Sequence, residues 1–554
     1  MIKENFIEMI ETSICENWDL LALQDYFKNQ ELTYGQMAER IAKLHLLFRT
    51  LEVTPGDKIA IIGRNNLPWA VTFMAVVTYG AVVVPILQEF NANDVQHILN
   101  HSDSVVLFAS EQNFEAIELS QISELRASFS LADFSMQYVS DNFERRLLMC
   151  DMEALFVKQY PEGLTPDQIA YHHTPNTEMV LLSYTSGTTG FSKGVMLSGN
   201  NLAGNVNFGK ALGVHFPGSR VLSFLPLAHA YGLMFDFIYP LCVGARVTML
   251  GKIPSPKVLL QALAEVKPNV IFMVPLIIEK IYKKQLLPLL DKNVTKIALH
   301  VPLVDAGIYT MIRKKLVDAF GGQFSQVIIG GAALNGEVEE FLTRIKFPFT
   351  VGYGMTECAP LISYSYPAEF INKSCGRALP KLMEVKVVDR EPLSGVGKLY
   401  VRGENVMMGY YKNEEATRAV LDQDGWLSTG DMGSVSDDGT IFIRGRNKTM
   451  ILRSNGQNIY PEEIESKLNN LPCVMESLVM ERDGKLVALV YPDYDVVDSL
   501  GVRDQNLLGE IMKVNVVELN RLVAPYENIS EIILFPSEFE KTPKRSIRRY
   551  LYTS

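Results

Sequence analysis

The clearest chemical pattern in the sequence lies at 184–195, which reads YTSGTTGFSKGV. The apolar run that precedes it predicts a buried strand ending in a loop. Glycines let backbone N–H groups approach an anion, Ser and Thr hydroxyls add donors, and Lys193 adds positive charge. The order Ser192-Lys193-Gly194 differs from the Gly-Lys-Ser/Thr order of a Walker A loop. The segment therefore predicts a polyphosphate-binding loop of a different type.

Further segments rich in glycine, hydroxyl, acidic or basic residues follow along the chain in a fixed order. Two of them contain a carboxylate directly after a glycine- or threonine-containing stretch, which is typical of ligand-binding loops at strand ends. The segments are LPLAHAYG (225–232), GGAAL (330–334), GYGMTE (352–357), WLSTGD (426–431), GRNK (445–448) and NGQNIYPEEIE (455–465).

Together these segments resemble the motifs of the adenylate-forming superfamily of AMP-binding enzymes. That superfamily includes acyl-CoA synthetases, luciferase-like enzymes and the adenylation domains of peptide synthetases. The resemblance spans about residues 30 to 550. Within the superfamily, the motifs are most similar to those of the long- or medium-chain fatty-acid–CoA ligases. It implies a ligase that uses ATP and Mg²⁺ and takes CoA as co-substrate.

The resemblance implies a role for each matched residue. Tyr353 would stack on adenine, while Asp431 would accept from the ribose hydroxyls and Arg446 would reach the ribose or a phosphate. The full set implied for ATP or AMP is Thr185, Ser186, Gly187, Thr188, Thr189, Gly190, Lys193, Gly330, Gly331, Ala332, Tyr353, Gly354, Thr356, Asp431 and Arg446.

The same resemblance implies the catalytic and moving residues. Glu357 would bind Mg²⁺, which prefers carboxylate and phosphate oxygens, and Thr356 would donate to a phosphate or adenylate oxygen. His229 would act at the acyl site, and Lys193 would act at the phosphates. Lys448 matches the hinge about which the C-terminal domain turns. The family usually has an acid after the hinge residue, whereas this chain has Thr449.

The main departure from the family lies in the C-terminal segment FEKTPKRSIRRYLY at 539–552. Ser546 stands where the family has a lysine that contacts the reacting carboxylate and phosphate. A serine cannot supply the positive charge that stabilises the developing charge at the α-phosphate. Three interpretations stay open: Lys544 replaces the missing lysine, adenylation is weakened, or the sequence is altered at this position. The neighbouring cations Lys541, Arg545, Arg548 and Arg549 could also act together, or simply form a solvated basic tail.

The elements that position these residues are of the α/β type. Near-continuous apolar runs such as KIAIIG (58–63) and QVIIGG (326–331) predict strands covered on both faces. Helical patterns between them, such as PKVLLQALAEV (256–266), predict βαβ units with parallel sheets. After about residue 375, short strands with Gly, Asp and Asn turns predict a small antiparallel or barrel-like subdomain.

The chain is expected to contain two domains. Residues 1–445 form the N-terminal AMP-binding domain, with the β-rich subdomain at about 375–445. Residues 446–554 form a small, mobile α+β domain, in which Pro461 opens a helix and a strand, a helix and a strand follow.

Composition excludes several other classes of protein. The 554 residues are 47% hydrophobic and 21% charged, as in globular proteins and unlike disordered chains. The net charge of −11 disfavours a nucleic-acid binder. The six cysteines are scattered, with no zinc-type spacing, and the acidic N-terminus does not resemble a signal peptide. We expect a cytoplasmic protein with no integral membrane segment, for which only peripheral membrane contact would remain.

The expected function is that of a fatty acyl-CoA synthetase. An amino-acid-activating enzyme would need an acid for the substrate amine, and the spacing of Asp236 to Pro240 is too short for that role. Two alternatives are kept: an acyl-AMP ligase that passes the acyl group to an acyl carrier protein, and an adenylation-impaired homologue that binds nucleotide or acyl groups, which Ser546 suggests.

Overall fold

The apolar runs of the first 200 residues gather in one eight-stranded sheet. The computed structural model describes residues 2–148, 151–185, 192–251, 254–290, 304–452, 458–499, 505–542 and 547–552. From edge to edge, the strands of the large sheet are Gly409–Tyr410, Lys193–Ser198, Met179–Thr185, Val82–Ile86, Lys58–Ile62, Ser104–Ala109, Ala127–Ser130 and Met136–Val139.

The five inner strands of this sheet run parallel, as the sequence predicts. Its edges differ from that prediction, because Lys193–Ser198 pairs antiparallel with Met179–Thr185 and Met136–Val139 pairs antiparallel with Ala127–Ser130. The connections to these edge strands are short, and a parallel crossover needs a dozen or more residues. The polyphosphate loop therefore joins two antiparallel strands.

Six smaller sheets complete the chain. Their strands, in spatial order, are Arg220–Ser223, Arg246–Met249, Leu21–Asp25 and Gln30–Thr33; Ile271–Met273, Val327–Ile329 and Phe349–Val351; Tyr353–Gly354, Leu361–Tyr364 and Arg377–Ala378; Met383–Val388, Gly397–Gly403, Leu427–Val435 and Ile441–Arg446; Ile451–Leu452 and Asn458–Ile459; and Val474–Arg482, Lys485–Pro492 and Ile529–Leu534. The sheet at 383–446 is antiparallel throughout, which confirms the β-rich subdomain.

Helices cover the sheets. They are Phe6–Glu16, Tyr34–Thr50, Leu67–Tyr79, Ala92–Ser102, Glu111–Glu115, Asp141–Leu148, Met152–Gln159, Gly199–Leu212, Ala230–Gly232, Tyr239–Leu241, Pro256–Val266, Pro275–Ile281, Leu287–Leu290, Val304–Ala319, Gly336–Arg344, Glu414–Arg418, Pro461–Leu468, Tyr494–Ser499 and Gln505–Leu522. Two π-helical stretches, Leu233–Ile238 and Tyr282–Leu286, continue the helices around them.

Local signals explain why helix Leu67–Tyr79 begins and ends where it does. The Asn66 side chain accepts from the backbone N–H of Trp69 at its start, and Gly80 ends it with a φ of 90°. The helix is buried and leads into the buried strand Val82–Ile86. Among the described residues, we find no helix that is both long and apolar enough to cross a membrane.

The C-terminal region contains more elements than the sequence analysis predicts, including a two-stranded sheet of Ile451–Leu452 and Asn458–Ile459, helix Tyr494–Ser499 and a second hairpin strand. The stretch expected to form one strand is a hairpin of Val474–Arg482 and Lys485–Pro492, turning at Asp483 and Gly484 with φ values of 50° and 72°. An Asp-Gly pair with both residues in the left-handed region is a type I′ hairpin turn. The class itself is confirmed: α/β with parallel sheets, a small antiparallel subdomain and a smaller α+β region at the C-terminus. The domain boundary at 445/446 stays a prediction.

Candidate active site

A cleft of about 2520 Å³ runs from the large sheet to the C-terminal region. Most of the predicted site residues that the structure describes line this cleft. They are Thr185, Lys193, His229, Gly330, Gly331, Ala332, Tyr353, Gly354, Thr356, Glu357, Asp431, Arg446 and Lys448. Residues predicted at positions far apart in the sequence therefore meet at one site.

The two strands that flank the polyphosphate loop end at the cleft. Thr185 lies opposite Lys193 in the antiparallel pair, so both ends of the loop are fixed by the sheet. The Lys193 ammonium lies 4.9 Å from the centre of the Tyr410 ring. Ser186, Gly187, Thr188, Thr189 and Gly190 lie outside the described residues, so their predicted contacts stay predictions.

The adenine-side residues follow the carboxyl ends of the three-stranded parallel sheet, where ligands of α/β proteins usually bind. Gly330 comes directly after strand Val327–Ile329, and its N–H donates to the carbonyl oxygen of Met273 at 3.0 Å. Gly331 has a φ of 87°, which favours glycine. At Gly354 a side chain would collide with the carbonyl oxygen of Pro360. These glycines keep the backbone close to the cleft.

Asp431 is the most strongly held carboxylate of the site. The Tyr353 hydroxyl donates to Asp431 Oδ2 at 2.5 Å, and Arg446 Nε lies 2.9 Å from Asp431 Oδ1. Burial raises the pKa of Asp431, and the Arg446 guanidinium acts in the opposite direction. Burial, together with Asp431, also raises the pKa of Tyr353. The Tyr353–Asp431 bond was not foreseen, because the sequence analysis assigned Tyr353 to adenine alone.

Glu357 lies in a short 3₁₀ turn, Thr356–Cys358, directly after the predicted adenine segment. Its Oε1 accepts from the Tyr410 hydroxyl at 2.9 Å, and its backbone oxygen accepts from the N–H of Met407 at 2.8 Å. Thr356 is 8% exposed. The sequence analysis missed Tyr410, although its Gly-Tyr-Tyr-Lys context sets it apart from an ordinary strand.

Another part of the cleft lining is aromatic and apolar. The rings of Phe235 and Phe272 stack with centroids 5.3 Å apart, and Tyr231 contacts both. His229 precedes the helical stretch that carries Tyr231 and Phe235. Both of these rings and His229 line the cleft, and the acyl-site role of His229 stays a prediction.

Asp236 lies in the same helical stretch but is fully buried. Its Oδ2 accepts from the backbone N–H of Leu225 at 3.4 Å, and its Oδ1 has no hydrogen-bond partner. Burial raises the pKa of Asp236 well above its ordinary value.

The predicted hinge contacts the C-terminal region through Thr449. The Thr449 hydroxyl donates to Glu462 Oε1 at 2.6 Å, in the helix that Pro461 opens. Arg549 forms an ion pair with Glu465 of the same helix and lies 3.8 Å from Glu462. These contacts join the hinge segment, one helix and the C-terminal tail.

The C-terminal tail lines the cleft just before and just after the segment that departs from the family pattern. Lys541 pairs with Ile547 in an isolated antiparallel bridge, and the Lys541 ammonium lies 2.5 Å from Glu476. Thr542, Ile547, Arg548 and Arg549 line the cleft. Lys544, Arg545 and Ser546 lie outside the described residues. Lys541 and Arg549 each pair with an acidic side chain. These pairings weaken the interpretation that all the basic residues of the tail act together.

The chain belongs to the family of AMP-binding enzymes, whose family model matches residues 12–411. This confirms the resemblance found in the motifs. The chain is 31% identical over 546 residues to long-chain-fatty-acid–CoA ligase 1 of Saccharomyces cerevisiae, covering 89% of this chain and 77% of that protein. It is 27% identical to long-chain-fatty-acid–CoA ligase FadD15 of Mycobacterium bovis, covering 94% and 90%.

Solved structures share the fold. ATP-bound MatB from Rhodopseudomonas palustris superposes with a TM-score of 0.76 at 20% identity, covering 99% of this chain and 98% of that one. The fatty acyl CoA synthetase of Mycobacterium tuberculosis gives a TM-score of 0.64 at 20% identity, covering 99% and 97%. The multi-lobed α/β architecture with a smaller C-terminal region is therefore that of known AMP-binding enzymes.

Proposed function

We propose that this protein is an ATP-dependent fatty acyl-CoA synthetase. The observation that carries the proposal is that one cleft is lined both by Asp431 and by the stacked rings of Phe235 and Phe272. We take the part around Asp431 as the nucleotide end and the part around the two rings as the aromatic, acyl end. Family membership and the long-chain-fatty-acid–CoA ligases among its relatives support the same assignment.

The nucleotide end suits ATP. The strand-end glycines Gly330 and Gly331 leave room for the flat adenine beside Tyr353, and Asp431 is an acceptor for the ribose hydroxyls. Thr185 and Lys193 flank the loop that would hold the phosphates. We assign loop residues 186–190 to the phosphates from the sequence pattern.

Glu357 fits a Mg²⁺ that enters with ATP. The described residues contain no cluster of three or more His, Cys, Asp or Glu that could form a metal site made by protein alone. Mg²⁺ bound with a nucleotide usually takes one or two carboxylates plus phosphate oxygens and water, so one carboxylate at the cleft is the donor set expected. Bound there, Mg²⁺ would neutralise phosphate charge.

The first reaction is adenylation. A carboxylate oxygen of the fatty acid attacks the α-phosphorus of ATP, a new P–O bond forms, and the bond to the β-phosphate breaks to give acyl-AMP and pyrophosphate. Lys193 and a tail lysine would stabilise the charge that develops on the phosphate oxygens, while Thr356 donates to one of them. His229 orients the carboxylate at the entrance to the aromatic end.

The second reaction is thioester formation. The thiolate of CoA attacks the acyl carbonyl carbon, and AMP leaves with the electron pair of the C–O bond. We propose that residues 446–554 turn about Lys448 between the two reactions, as hinge residues absorb backbone rotation.

Five described cysteines are free thiols, which supports a reducing, cytoplasmic location.

The acyl end favours an apolar acid over an amino acid. Asp236 is the acid nearest to this end in the sequence. It is fully buried and does not line the cleft, so it is not placed to pair with a substrate ammonium. Long- or medium-chain fatty acids are therefore the proposed substrates. Assays with fatty acids of increasing length would determine the preferred chain length.

The test measures pyrophosphate release from ATP with fatty acids of increasing chain length, with and without CoA, and with a holo acyl carrier protein in place of CoA. Fatty-acid-dependent release accompanied by an acyl-CoA product supports the proposal. Thioester formed only on the carrier protein would replace CoA by that acceptor. ATP binding without release would instead identify the adenylation-impaired homologue that Ser546 suggests.

A further inference from the structure

Tyr410 lies between the two oppositely charged residues that the proposed function assigns to the phosphates and the metal. Its hydroxyl donates to Glu357 Oε1 at 2.9 Å, and its ring centre lies 4.9 Å from the Lys193 ammonium. The tyrosine is 9% exposed and lines the cleft. One side chain therefore contacts both charged groups.

The backbone fixes Tyr410 against both of their segments. It lies opposite Val195 in the antiparallel pair with the strand that carries Lys193. The N–H of Tyr410 donates to Thr417 Oγ1 at 2.8 Å. Three residues earlier, the N–H of Met407 donates to the backbone oxygen of Glu357 at 2.8 Å. The strand is thus bound to the polyphosphate-loop hairpin and to the Glu357 turn.

Lys193 and Glu357 are both half-buried and face one cleft, so solvent only partly screens the attraction between the ammonium and the carboxylate. A direct ion pair would occupy the lysine donors and the carboxylate acceptors that ATP and its cation need. In the described part of the chain, Lys193 and Glu357 form no such pair. The Tyr410 ring offers its negative face to the ammonium and its hydroxyl to the carboxylate.

We propose that Tyr410 is a positioning residue that keeps Lys193 and Glu357 apart and orients each toward the nucleotide. The inference rests on the proposed function, because it takes the ligand to be ATP with a divalent cation. The hydroxyl orients the carboxylate, and the ring orients the ammonium. The two contributions are separable by substitution.

The test compares Tyr410→Phe, which keeps the ring, with Tyr410→Leu, which removes ring and hydroxyl. The matched control is Tyr411→Phe, because the Tyr411 hydroxyl donates to Asp103 at 3.2 Å instead. For each variant, calorimetry measures ATP binding with EDTA and with saturating Mg²⁺. Melting temperature and the kcat and KM of pyrophosphate release are measured on the same preparations.

We expect Tyr410→Phe to bind metal-free ATP within about twofold of wild type, while the factor by which Mg²⁺ tightens ATP binding falls about tenfold. Tyr410→Leu should show the same loss, and metal-free ATP binding should also weaken about tenfold because Lys193 pairs with Glu357. Tyr411→Phe should match wild type in both titrations.

Two results would overturn the inference. One is that both Tyr410 variants match Tyr411→Phe in both titrations. The other is that Tyr410→Phe weakens ATP binding equally with and without Mg²⁺ while the melting temperature falls, which is the result of a purely structural role. A wild-type protein that binds ATP but releases no pyrophosphate would contradict the proposed function and leave these binding comparisons decisive for Tyr410.

Discussion

Arg446 and Asp431 lie opposite each other on neighbouring antiparallel strands, with Arg446 Nε 2.9 Å from Asp431 Oδ1. The arginine side chain is 59% exposed, whereas the aspartate side chain is 7% exposed. Tyr353 occupies the other carboxylate oxygen. Each carboxylate oxygen has two lone pairs, so acceptor capacity remains for a diol. The pair connects the proposed ribose acceptor to the strand that leads into the proposed hinge.

Replacing Asp431 by Asn should weaken ATP and AMP binding about 10- to 100-fold, because hydrogen bonds to a charged group contribute about 1.5–3 kcal/mol. The amide has one acceptor oxygen and cannot serve Tyr353, Arg446 and the ribose together. Calorimetric titration with AMP measures the effect directly.

The matched control is Asp438→Asn, in the same antiparallel sheet region. Asp438 is an exposed acid that pairs with Arg377 at 2.6 Å and does not line the cleft. The Asp438→Asn variant should bind AMP with the affinity of the wild type. Equal affinities for the Asp431 and Asp438 variants would show that Asp431 is not the ribose acceptor.

The apolar end of the cleft should set the longest acid accepted. Val214 is half-buried and lines the cleft, so Val214→Trp should reduce the space for an acyl chain. We expect kcat/KM for the longest acids to fall at least about tenfold, while the shortest accepted acid is unaffected. The control Phe216→Trp changes an exposed neighbour, 53% accessible, that does not line the cleft. An unchanged chain-length profile for Val214→Trp would place the acyl chain elsewhere.

Elements with strong local signals are predictable from the sequence. Helix Pro256–Val266 begins after Ser255, whose side chain caps it, and ends before Lys267-Pro268 as predicted. Strand Gly397–Gly403 lies in the region after about residue 375 where short strands are predicted. The hairpin at Asp483-Gly484 was missed although the Asp-Gly signal is local, because the apolar residues on either side read as one strand.

The site was predictable only in its parts. The motifs identified most residues that line the cleft, because each motif is contiguous in the sequence. The contacts between motifs were not predictable. Tyr353 and Asp431 are separated by 78 positions, and Tyr410 and Glu357 by 53. Such pairings depend on how separate sheets pack, and hydrophobic periodicity carries no information about that packing.

The tail should supply the lysine that the family motif lacks at Ser546. We expect Lys544→Ala to lower fatty-acid-dependent pyrophosphate release about 100-fold, the size of effect seen when one donor to a developing oxyanion is removed. The reaction of supplied acyl-AMP with CoA should be unchanged, because that step does not stabilise the α-phosphate. Ser546→Lys should restore release in the Lys544→Ala background.

Arg545→Ala is the matched control, since it removes an adjacent cation of the same segment. It should reduce pyrophosphate release far less than Lys544→Ala. Equal losses in both variants would favour a collective effect of the basic tail. If Ser546→Lys leaves the adenylation rate of the otherwise wild-type chain unchanged, Ser546 does not limit the reaction.

Glu465 should make the stability of the protein fall between about pH 5 and pH 7. Burial raises the pKa of Glu465 from an ordinary 4.5 to about 7, although Arg549 acts in the opposite direction. In this range the folded chain keeps a proton that the unfolded chain has released, so the free energy of unfolding falls as the pH rises. This contribution is fully present below about pH 4.5 and is lost as the pH reaches about 7.

Glu465→Gln has no titrating group at this position, so the wild type should lose stability relative to this variant as the pH rises through that window. Urea unfolding of both proteins at several pH values measures the difference. The control is Glu531→Gln, which changes an exposed residue of strand Ile529–Leu534. Its stability should depend on pH in the same way as that of the wild type. Parallel curves for Glu465→Gln and wild type would mean that Glu465 ionises normally in the folded chain, so that its ion pair with Arg549 outweighs its burial.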